Sequence, residues 1–487
     1  MGFLERSIWE GKIYSGGWVA GSGGEYPAVE PATGRELARV GAATAADVHK
    51  AAERAAQAQR GWAALPYDRR AEVLRRAGQL FIEHEAEIHE WVIRESGAIR
   101  PFAGFQTRAV AAEECWEAAA LASHPYGELL RSSQPRLSFA RRLPVGVVGV
   151  IAPFNAPIIL AIRSVAPALA LGNAVVLKPD PRTAICGGVV LARIFEEAGL
   201  PDDVLHVLPG GADLGAAVVE DPLIPVIAFT GSTRAGRSVA RSAAERLKRV
   251  HLELGGNSAL VILDDVDVEQ AVSVGAFGTF NHAGQICMAT SRHLVDARIA
   301  DEYAASLATH ADRLPVGDPA GDDVAIGPII DAAQRDNVHR IVTSTVDAGA
   351  TLRAGGSYEG LFYRPTVLAD VPVTAPAFAE EIFGPVAPVV AFRDLDEAAR
   401  LAASTEYGLS LGILTRDVMK GLALAERIPS GLVHINDQTV NDEAVIPFGG
   451  VGESGTGVRL GGPRSNMDAF TDIQWVTVRG ELPPYPF

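Results

Sequence analysis

Residues 145–171 read VGVVGVIAPFNAPIILAIRSVAPALAL, and this stretch decides the class of fold. Its first part, Val145–Ile151, is a continuous apolar run rich in β-branched residues, which is typical of a buried strand. A turn that contains Pro153 and Pro157 follows, and an apolar helical pattern then continues to Leu171. A buried strand that leads through a tight turn into a helix is the first half of a βαβ unit.

The same alternation repeats along the chain. Apolar runs and helical stretches follow one another at Ala174–Lys178, Ala184–Ala198, Val204–Leu208, Val226–Phe229 and Ala235–Lys248. Repeated βαβ units predict a parallel sheet with right-handed crossovers, and ligands of such sheets bind at the carboxyl ends of the strands. A further strand near Val250–Leu254 leads through Gly255-Gly256 into a second α/β region, whose clearest strands are Ala259–Leu263, Arg292–Val295 and Val389–Phe392.

The chain before residue 145 has a different character. Short strands and turns are predicted over residues 1–50, and helices over Ala45–Gly97 and Phe102–Ala122, with Thr44 as a helix cap. The segment His124–Leu143 is polar and interrupted by proline, which predicts a hairpin or excursion from the main fold.

Composition and charge exclude several classes of function. The chain has 487 residues, a net charge of −16 and 48% hydrophobic residues, which is typical of a large globular protein with an acidic surface. An acidic surface disfavours binding to nucleic acid or to anionic lipid. The three cysteines lack metal-ligand spacing, so no metal site is predicted. No leader or membrane-length apolar run is evident, and a cytoplasmic protein is expected.

Two glycine patterns resemble nucleotide-binding motifs. Gly450–Gly455 fits GxGxxG but lacks a strand before it and a helix after it, which favours a glycine-rich surface loop. Gly231–Ser238 is one residue from a Walker A motif, because Arg237 stands where that motif has lysine. The latter segment still connects a strand to a helix, so its backbone N–H groups favour phosphate binding without ATP chemistry.

Four side chains that could carry chemistry lie at or near the ends of apolar runs. Cys287 lies in NHAGQICM (281–288), and Glu253 lies in HLELGGN (251–257). Asn155 lies between two prolines, and Lys178 ends a predicted strand. Each residue also has an ordinary structural alternative: a buried cysteine, a surface glutamate, a turn asparagine and a solvated lysine.

Taken together, these segments resemble the aldehyde dehydrogenase superfamily over nearly the whole chain. The matching segments, in the order in which the family has them, are Pro153–Pro157, Lys178-Pro179, Phe229–Thr233, Leu252–Gly256, Gly284–Cys287, Glu381–Pro385 and Pro447–Gly450. The segment Leu177–Pro181, together with Asn257 where many members have lysine, resembles the benzaldehyde and vanillin dehydrogenase branch.

The resemblance implies an α/β fold with two Rossmann-like domains and a small β domain for oligomerisation. The dinucleotide-binding domain would comprise residues 1–122 and 144–253, and the catalytic domain residues 254–455. Residues 123–143 and 470–487 would form the bridging domain, and a homodimer or homotetramer is expected.

The resemblance also implies an oxidoreductase that converts an aldehyde to a carboxylic acid with NAD or NADP. Cys287 would attack the aldehyde, and a thiol pKa lowered by nearby donors would favour this step. The Asn155 amide and the Cys287 N–H would stabilise the oxyanion. Glu253 would activate water to hydrolyse the thioester. No metal is required.

For the cofactor, the resemblance implies a set of residues around the strand ends. The expected set is Ile151, Ala152, Pro153, Phe154, Lys178, Pro181, Arg182, Gly211, Leu214, Phe229, Thr230, Gly231, Ser232, Leu254, Gly255, Glu381 and Phe383. Members that prefer NAD often carry glutamate where this chain has Pro181. Its loss, with Arg182 beside it, predicts that the 2′-phosphate of NADP is tolerated.

For the substrate, the resemblance implies an aromatic aldehyde. The expected pocket residues are Ala156, Ile159, Leu160, Arg163, Asn281, Ile286, Met288 and Phe448, and the small Ala156 would leave room for a flat ring. An aliphatic aldehyde or semialdehyde is the main alternative. Transfer of the thioester to coenzyme A is disfavoured by Glu253, and a catalytically silent protein on this fold is disfavoured by the combination of Cys287, Glu253 and Asn155.

Overall fold

The computed structural model describes residues 2–486. The α-helices have the bounds Arg6–Trp9, Ala45–Ala64, Tyr67–Glu83, Glu85–Ser96, Arg100–Gly104, Glu113–Leu121, Pro157–Ala170, Val190–Glu197, Ala212–Glu220, Thr233–Ala244, Val268–Phe280, Ala300–Arg313, Ala332–Asp347, Pro376–Ala379, Leu395–Ala403, Val418–Ala425 and Pro463–Phe470. Phe105–Ala112 and Ile185–Val189 are π-helical, and Pro181–Thr183 and Asn281–Gly284 are 3₁₀ turns. The predicted helix start at Thr44 is a capping box with Asp47.

The first sheet has seven strands. Its order is Arg249–Glu253, Val226–Thr230, Val147–Ile151, Ala174–Lys178, Leu205–Val207, Lys12–Tyr14 and Trp18–Ala20. The first five of these strands are parallel, as the alternating pattern predicts, and the last two are antiparallel additions at the edge. The strand order reverses between Val147–Ile151 and Val226–Thr230, and such a switch point opens a crevice at the carboxyl ends of the strands.

The second sheet also has seven strands. Its order is Thr351–Ala354, Thr366–Ala369, Val386–Phe392, Thr290–Asp296, Ser258–Ile262, Ser410–Leu414 and Leu432–Ile435. All neighbours are parallel except the outermost pair formed by Thr351–Ala354 and Thr366–Ala369. Helices cover both faces of each large sheet, so the central strands are buried on both sides.

A small antiparallel sheet is formed by segments that are far apart in the chain. Thr471–Val478 pairs with Leu137–Pro144, which in turn pairs with Gly127–Leu129. The predicted excursion therefore is a hairpin whose outer partner is the C-terminal strand. Short hairpins are formed by Glu25–Val29 with Glu36–Gly41 and by Tyr358–Glu359 with Phe362–Tyr363. Tyr407–Gly408 pairs antiparallel with the distant segment Val451–Gly452.

Candidate active site

A groove of about 680 Å³ lies at the switch point of the first sheet. It includes most of the residues predicted to bind the cofactor, namely Ile151, Ala152, Pro153, Phe154, Lys178, Pro181, Arg182, Gly211, Phe229, Thr230, Gly231 and Ser232. At one wall the helix Thr233–Ala244 begins, and Ser232 is its N-cap. Backbone N–H groups at such a helix start face the groove and favour an anion. The shape and this donor set fit the pyrophosphate of a dinucleotide.

At one end of the groove a single guanidinium is paired with two carboxylates. Arg182 forms ion pairs with Asp180 at 2.9 Å and with Asp331 at 2.7 Å, and its guanidinium lies 4.2 Å from the centre of the Phe154 ring. The guanidinium therefore already has two carboxylate partners, which sequence reasoning did not foresee. Burial lowers the pKa of Lys178.

A second, smaller cavity of about 240 Å³ continues from the groove. The two share Pro153, Phe154, Thr230, Gly231 and Ser232. The inner cavity is also lined by Asn155, Leu160, Leu254, Gly255, Cys287, Glu381 and Phe383, all of which were predicted site residues, and by Gln334 and Asn337, which were not. Two large segments of the chain thus bring a thiol, an amide and a carboxylate to one place.

The loop that carries Cys287 has an unusual backbone. His282, Ala283 and Gly284 have φ values of 51°, 54° and 68°, in the left-handed region. Gln285 connects this loop to the segment 328–330 by two hydrogen bonds. Its Oε1 accepts the N–H of Ile330 at 2.9 Å, and its Nε2 donates to the carbonyl of Pro328 at 3.3 Å. These contacts orient the partly exposed Cys287 side chain toward the cavity.

The thiol pKa differs from the expectation. Burial raises the pKa of Cys287 to about 12, and the nearby carboxylates Glu381 and Glu253 add to this effect. The expected lowering by donors is therefore wrong for the protein without bound ligands: Arg163 lowers the pKa, but its contribution is smaller than those that raise it. The thiol is protonated near neutral pH, and a base or a newly bound positive charge has to assist its ionisation.

Glu253 ends the strand Arg249–Glu253 and is buried. Its Oε2 atom has no hydrogen-bond partner. Burial raises its pKa well above the ordinary value, and the positive charges of Arg163 and Arg459 oppose that rise. A buried carboxylate with a raised pKa is a stronger base than one in water, which suits a group that removes a proton.

The Glu381 carboxylate lies directly against Gly255 in the wall of the inner cavity. Its Oε1 accepts the N–H of Gly256 at 3.0 Å, and burial raises its pKa to about 7. A Cβ atom at Gly255 would lie 2.3 Å from Oε2 of Glu381, so only glycine leaves this carboxylate in place. The carboxylate is thus held where a polar ligand group in the cavity can reach it.

Most of the predicted substrate residues are buried and do not line the inner cavity. Ala156, Ile159, Ile286, Met288 and Phe448 are buried, Asn281 is partly exposed, and only Leu160 lines the cavity. Arg163 has partners on two sides, while its Nη1 atom is buried without a hydrogen-bond partner. It pairs with Glu114 and Asp442, and its guanidinium lies 4.6 Å from the centre of the Phe448 ring.

Two sequence-based interpretations need correction. Leu214 does not line the groove: it is buried and packs beside Gly210, because its position in Ala212–Glu220 faces the sheet. The glycine-rich segment Gly450–Gly455 is not a plain surface loop. Ser454 is fully buried, its carbonyl accepts the N–H of Leu254 at 3.0 Å, and Gly455 forms a bridge with Glu253.

The sequence pattern of the aldehyde dehydrogenase family matches residues 18–476. The chain belongs to the aldehyde dehydrogenase family. Membership confirms the predicted enzyme class, an NAD(P)-dependent aldehyde dehydrogenase, together with the predicted α/β fold. Within residues 2–486 no helix of this aldehyde dehydrogenase is both long and apolar enough to cross a membrane.

Several relatives of this aldehyde dehydrogenase align along its whole length. The vanillin dehydrogenase of Amycolatopsis sp. is 63% identical over 487 residues, covering 100% of both chains. The benzaldehyde dehydrogenase [NAD(+)] of Pseudomonas putida is 49% identical, covering 99% of both chains. The solved structure of a salicylaldehyde dehydrogenase from Pseudomonas putida G7, in complex with salicylaldehyde, has a TM-score of 0.94 at 34% identity, covering 98% of this chain and 99% of that one.

Proposed function

We propose that this enzyme oxidises an aromatic aldehyde to the acid through a thioester on Cys287. One observation carries the proposal: a single cavity of about 240 Å³ contains Cys287, Asn155 and Glu381 and opens into the dinucleotide-sized groove. A nucleophile next to a cofactor groove, with an amide donor beside it, is the arrangement that oxidation through a covalent intermediate needs.

Support for an aromatic substrate comes from the relatives and from the apolar walls. Relatives named for vanillin, benzaldehyde and salicylaldehyde align over nearly the whole chain. Ala156, Leu160, Ile286, Met288 and Phe448 belong to the buried apolar cluster against which Cys287 packs. A flat ring gains free energy from burial against such side chains.

In the proposed reaction, the sulfur of Cys287 attacks the aldehyde carbon and the thiol proton passes to a carboxylate. The amide of Asn155 and the N–H of Cys287 donate to the oxyanion that forms. Bound NAD(P)⁺ supplies the hydride acceptor and a positive charge on its nicotinamide ring. When the carbonyl re-forms, the former aldehyde carbon has lost hydride and remains bonded to sulfur as a thioester.

Hydrolysis completes the reaction, and we assign the base to Glu253. Its carboxylate removes a proton from water, and the resulting hydroxide attacks the thioester carbon. The Cys287 sulfur leaves and takes up a proton, so the thiol is regenerated with release of the acid. The raised pKa of Glu253 increases its basicity, because its burial disfavours the ionised form. Free acid, rather than a coenzyme A ester, is the expected product.

For the cofactor, Lys178 and Glu381 are assigned to the two riboses and the Gly231-Ser232 backbone to the pyrophosphate. Position 181 is proline where NAD-preferring members often have glutamate, which by itself favours NADP. The structure argues for weaker acceptance of NADP than this substitution suggests. Arg182 is already paired with two carboxylates, and Asp180 places a negative charge at the same end of the groove. A 2′-phosphate there would be repelled by these carboxylates, so NAD is expected to be the better cofactor.

The proposed domains correspond to the two seven-stranded sheets and the three-stranded sheet. We assign residues 1–122 and 144–253 to dinucleotide binding, 254–455 to catalysis, and 123–143 with 470–487 to subunit bridging. The small sheet exposes Leu129, Ile473 and Trp475, which is unusual for an isolated surface and supports a homodimer or homotetramer. The acidic composition and sparse cysteines support a cytoplasmic enzyme.

A panel of aldehydes read by the absorbance of reduced cofactor tests the proposal. The panel contains benzaldehyde, hydroxylated and methoxylated benzaldehydes, and short and long aliphatic aldehydes, each with NAD and with NADP. The expected result is the highest kcat/KM for a benzaldehyde with NAD, with free acid as product in the absence of any added thiol. A kcat/KM for acetaldehyde equal to or above that for benzaldehyde overturns the aromatic assignment.

A further inference from the structure

The base assigned above lies against a loop from the other end of the chain. The backbone oxygen of Glu253 accepts a hydrogen bond from the N–H of Gly231 at 3.0 Å. Glu253 also forms an isolated antiparallel β-bridge with Gly455. The adjacent Leu254 donates to the carbonyl of Ser454. The segment 447–461 therefore forms one wall around the Glu253 carboxylate.

Gly449 and Arg459 are the parts of that wall nearest to the carboxylate. A Cβ atom at Gly449 would lie 2.8 Å from Oε1 of Glu253 and 2.9 Å from Nη1 of Arg459. One point in space is thus close to both the carboxylate oxygen and the guanidinium nitrogen. The same Nη1 donates to the carbonyl of Gly450 at 2.8 Å, which fixes the guanidinium in this position.

We propose that Arg459 is a positioning residue for Glu253, acting across a gap that exists because residue 449 is glycine. The proposal rests on the proposed function, in which Glu253 activates water. The guanidinium lines neither the groove nor the inner cavity. It holds the carboxylate in place by charge attraction and keeps part of the Glu253 population ionised, so that the base is available when the thioester has formed.

The charges that face Glu253 come from several elements. Arg163, from the helix Pro157–Ala170, and Arg459 both favour the ionised carboxylate, and burial opposes them. Cys287 and Glu381 line the inner cavity, and the negative charges of Glu381 and Glu253 both raise the pKa of the Cys287 thiol. Arg163 is itself paired with two carboxylates, whereas Arg459 is held by a backbone carbonyl. Removing Arg459 therefore raises the pKa of Glu253 further.

The test compares Arg459→Gln, Arg459→Lys and Glu253→Gln in the full-length enzyme with NAD and benzaldehyde. Rapid mixing separates the burst of NADH, which reports thioester formation, from the decay of the acyl-enzyme, which reports hydrolysis. For Arg459→Gln we expect a full burst of NADH. The pH at which acyl-enzyme decay falls off on the acid side should be about one unit higher than in the wild type, so that decay at lower pH is about tenfold slower. The difference disappears at high pH, and lysine restores most of the rate.

Arg237→Gln is the matched control, because Arg237 is exposed and pairs with Glu453 in the same loop. It should leave the decay profile unchanged. If the pH profile of acyl-enzyme decay is unshifted in Arg459→Gln while decay is slow in Glu253→Gln, the role of Arg459 is overturned but the assignment of Glu253 as the base stands. Normal decay in Glu253→Gln overturns the assignment of the base itself. Should Arg459→Gln fail to fold, Gly449→Ala tests the same gap, and an unshifted profile there also overturns the proposal.

Discussion

Replacing Glu381 by glutamine should make Cys287 more reactive in the enzyme without cofactor. Burial of the thiol and the negative charge of Glu381 are the two largest causes that raise the pKa of Cys287 to about 12. A like charge nearby disfavours thiolate formation, so its removal lowers the thiol pKa. The side chain of Glu381 also lines the same cavity as the sulfur, which places the cause and the effect together.

The size of the effect follows from the pKa values. With a thiol pKa of about 12, only about one thiol in ten thousand is ionised at pH 8. At that pH the Glu381 carboxyl, with a pKa of about 7, is mostly ionised, so its charge is present to be removed. A fall of about one unit in the thiol pKa raises the thiolate fraction about tenfold, which equals about 1.4 kcal/mol.

Alkylation by iodoacetamide measures this directly, because the thiolate is the reacting form. The wild-type rate should rise about tenfold per pH unit between pH 7 and 9 without reaching a plateau. Glu381→Gln should alkylate about tenfold faster at pH 8. Glu380→Gln is the matched control, since that carboxylate is exposed and pairs with Arg340. A plateau below pH 8, or equal rates for the two variants, refutes the reasoning.

Three further predictions concern stability, cofactor choice and assembly. Arg292→Met should cost about 3 kcal/mol or more in the free energy of unfolding, measured by urea titration, because buried carbonyls including that of Asn257 lose their donor; a cost below 1 kcal/mol contradicts this. Asp331→Asn frees part of the Arg182 guanidinium and should raise kcat/KM for NADP relative to NAD about threefold, and an unchanged ratio contradicts the ion-pair argument. Ile473→Arg places a charge on the exposed face of the small sheet and should yield monomers by light scattering, whereas an intact oligomer would argue against that face as the interface.

The sequence predicted the parts of the fold that depend on local patterns. The apolar runs predicted the parallel strands of the first sheet, and the segments that follow Ile151 and Phe229 both line one cavity. This worked because the carboxyl ends of parallel strands meet at one edge, so residues after different strands become neighbours. Cys287 was placed at the same cavity on the strength of the resemblance.

Contacts between distant segments were not predictable in the same way. Arg163 pairs with Glu114 and Asp442, which are separated from it in the sequence by 49 and 279 positions respectively. No local sequence pattern marks partners so far away. Whether the pKa of Cys287 is raised or lowered depends on the burial of the thiol and on which carboxylates lie near it. Neither can be read from the sequence. The role of Gly450–Gly455 was not predicted, because the sequence shows only its neighbours along the chain. Its partner in space is the distant strand that ends at Glu253.

The most direct measurement is the location of the covalent intermediate. Glu253→Gln enzyme mixed with benzaldehyde and NAD, quenched in acid and digested, should yield one acylated peptide, and its acyl group should lie on Cys287. The buried Cys115 and Cys186 serve as internal controls and should stay unmodified. An acyl group on either of those thiols, no acylated peptide at all, or undiminished turnover by Cys287→Ser would contradict catalysis through this sulfur.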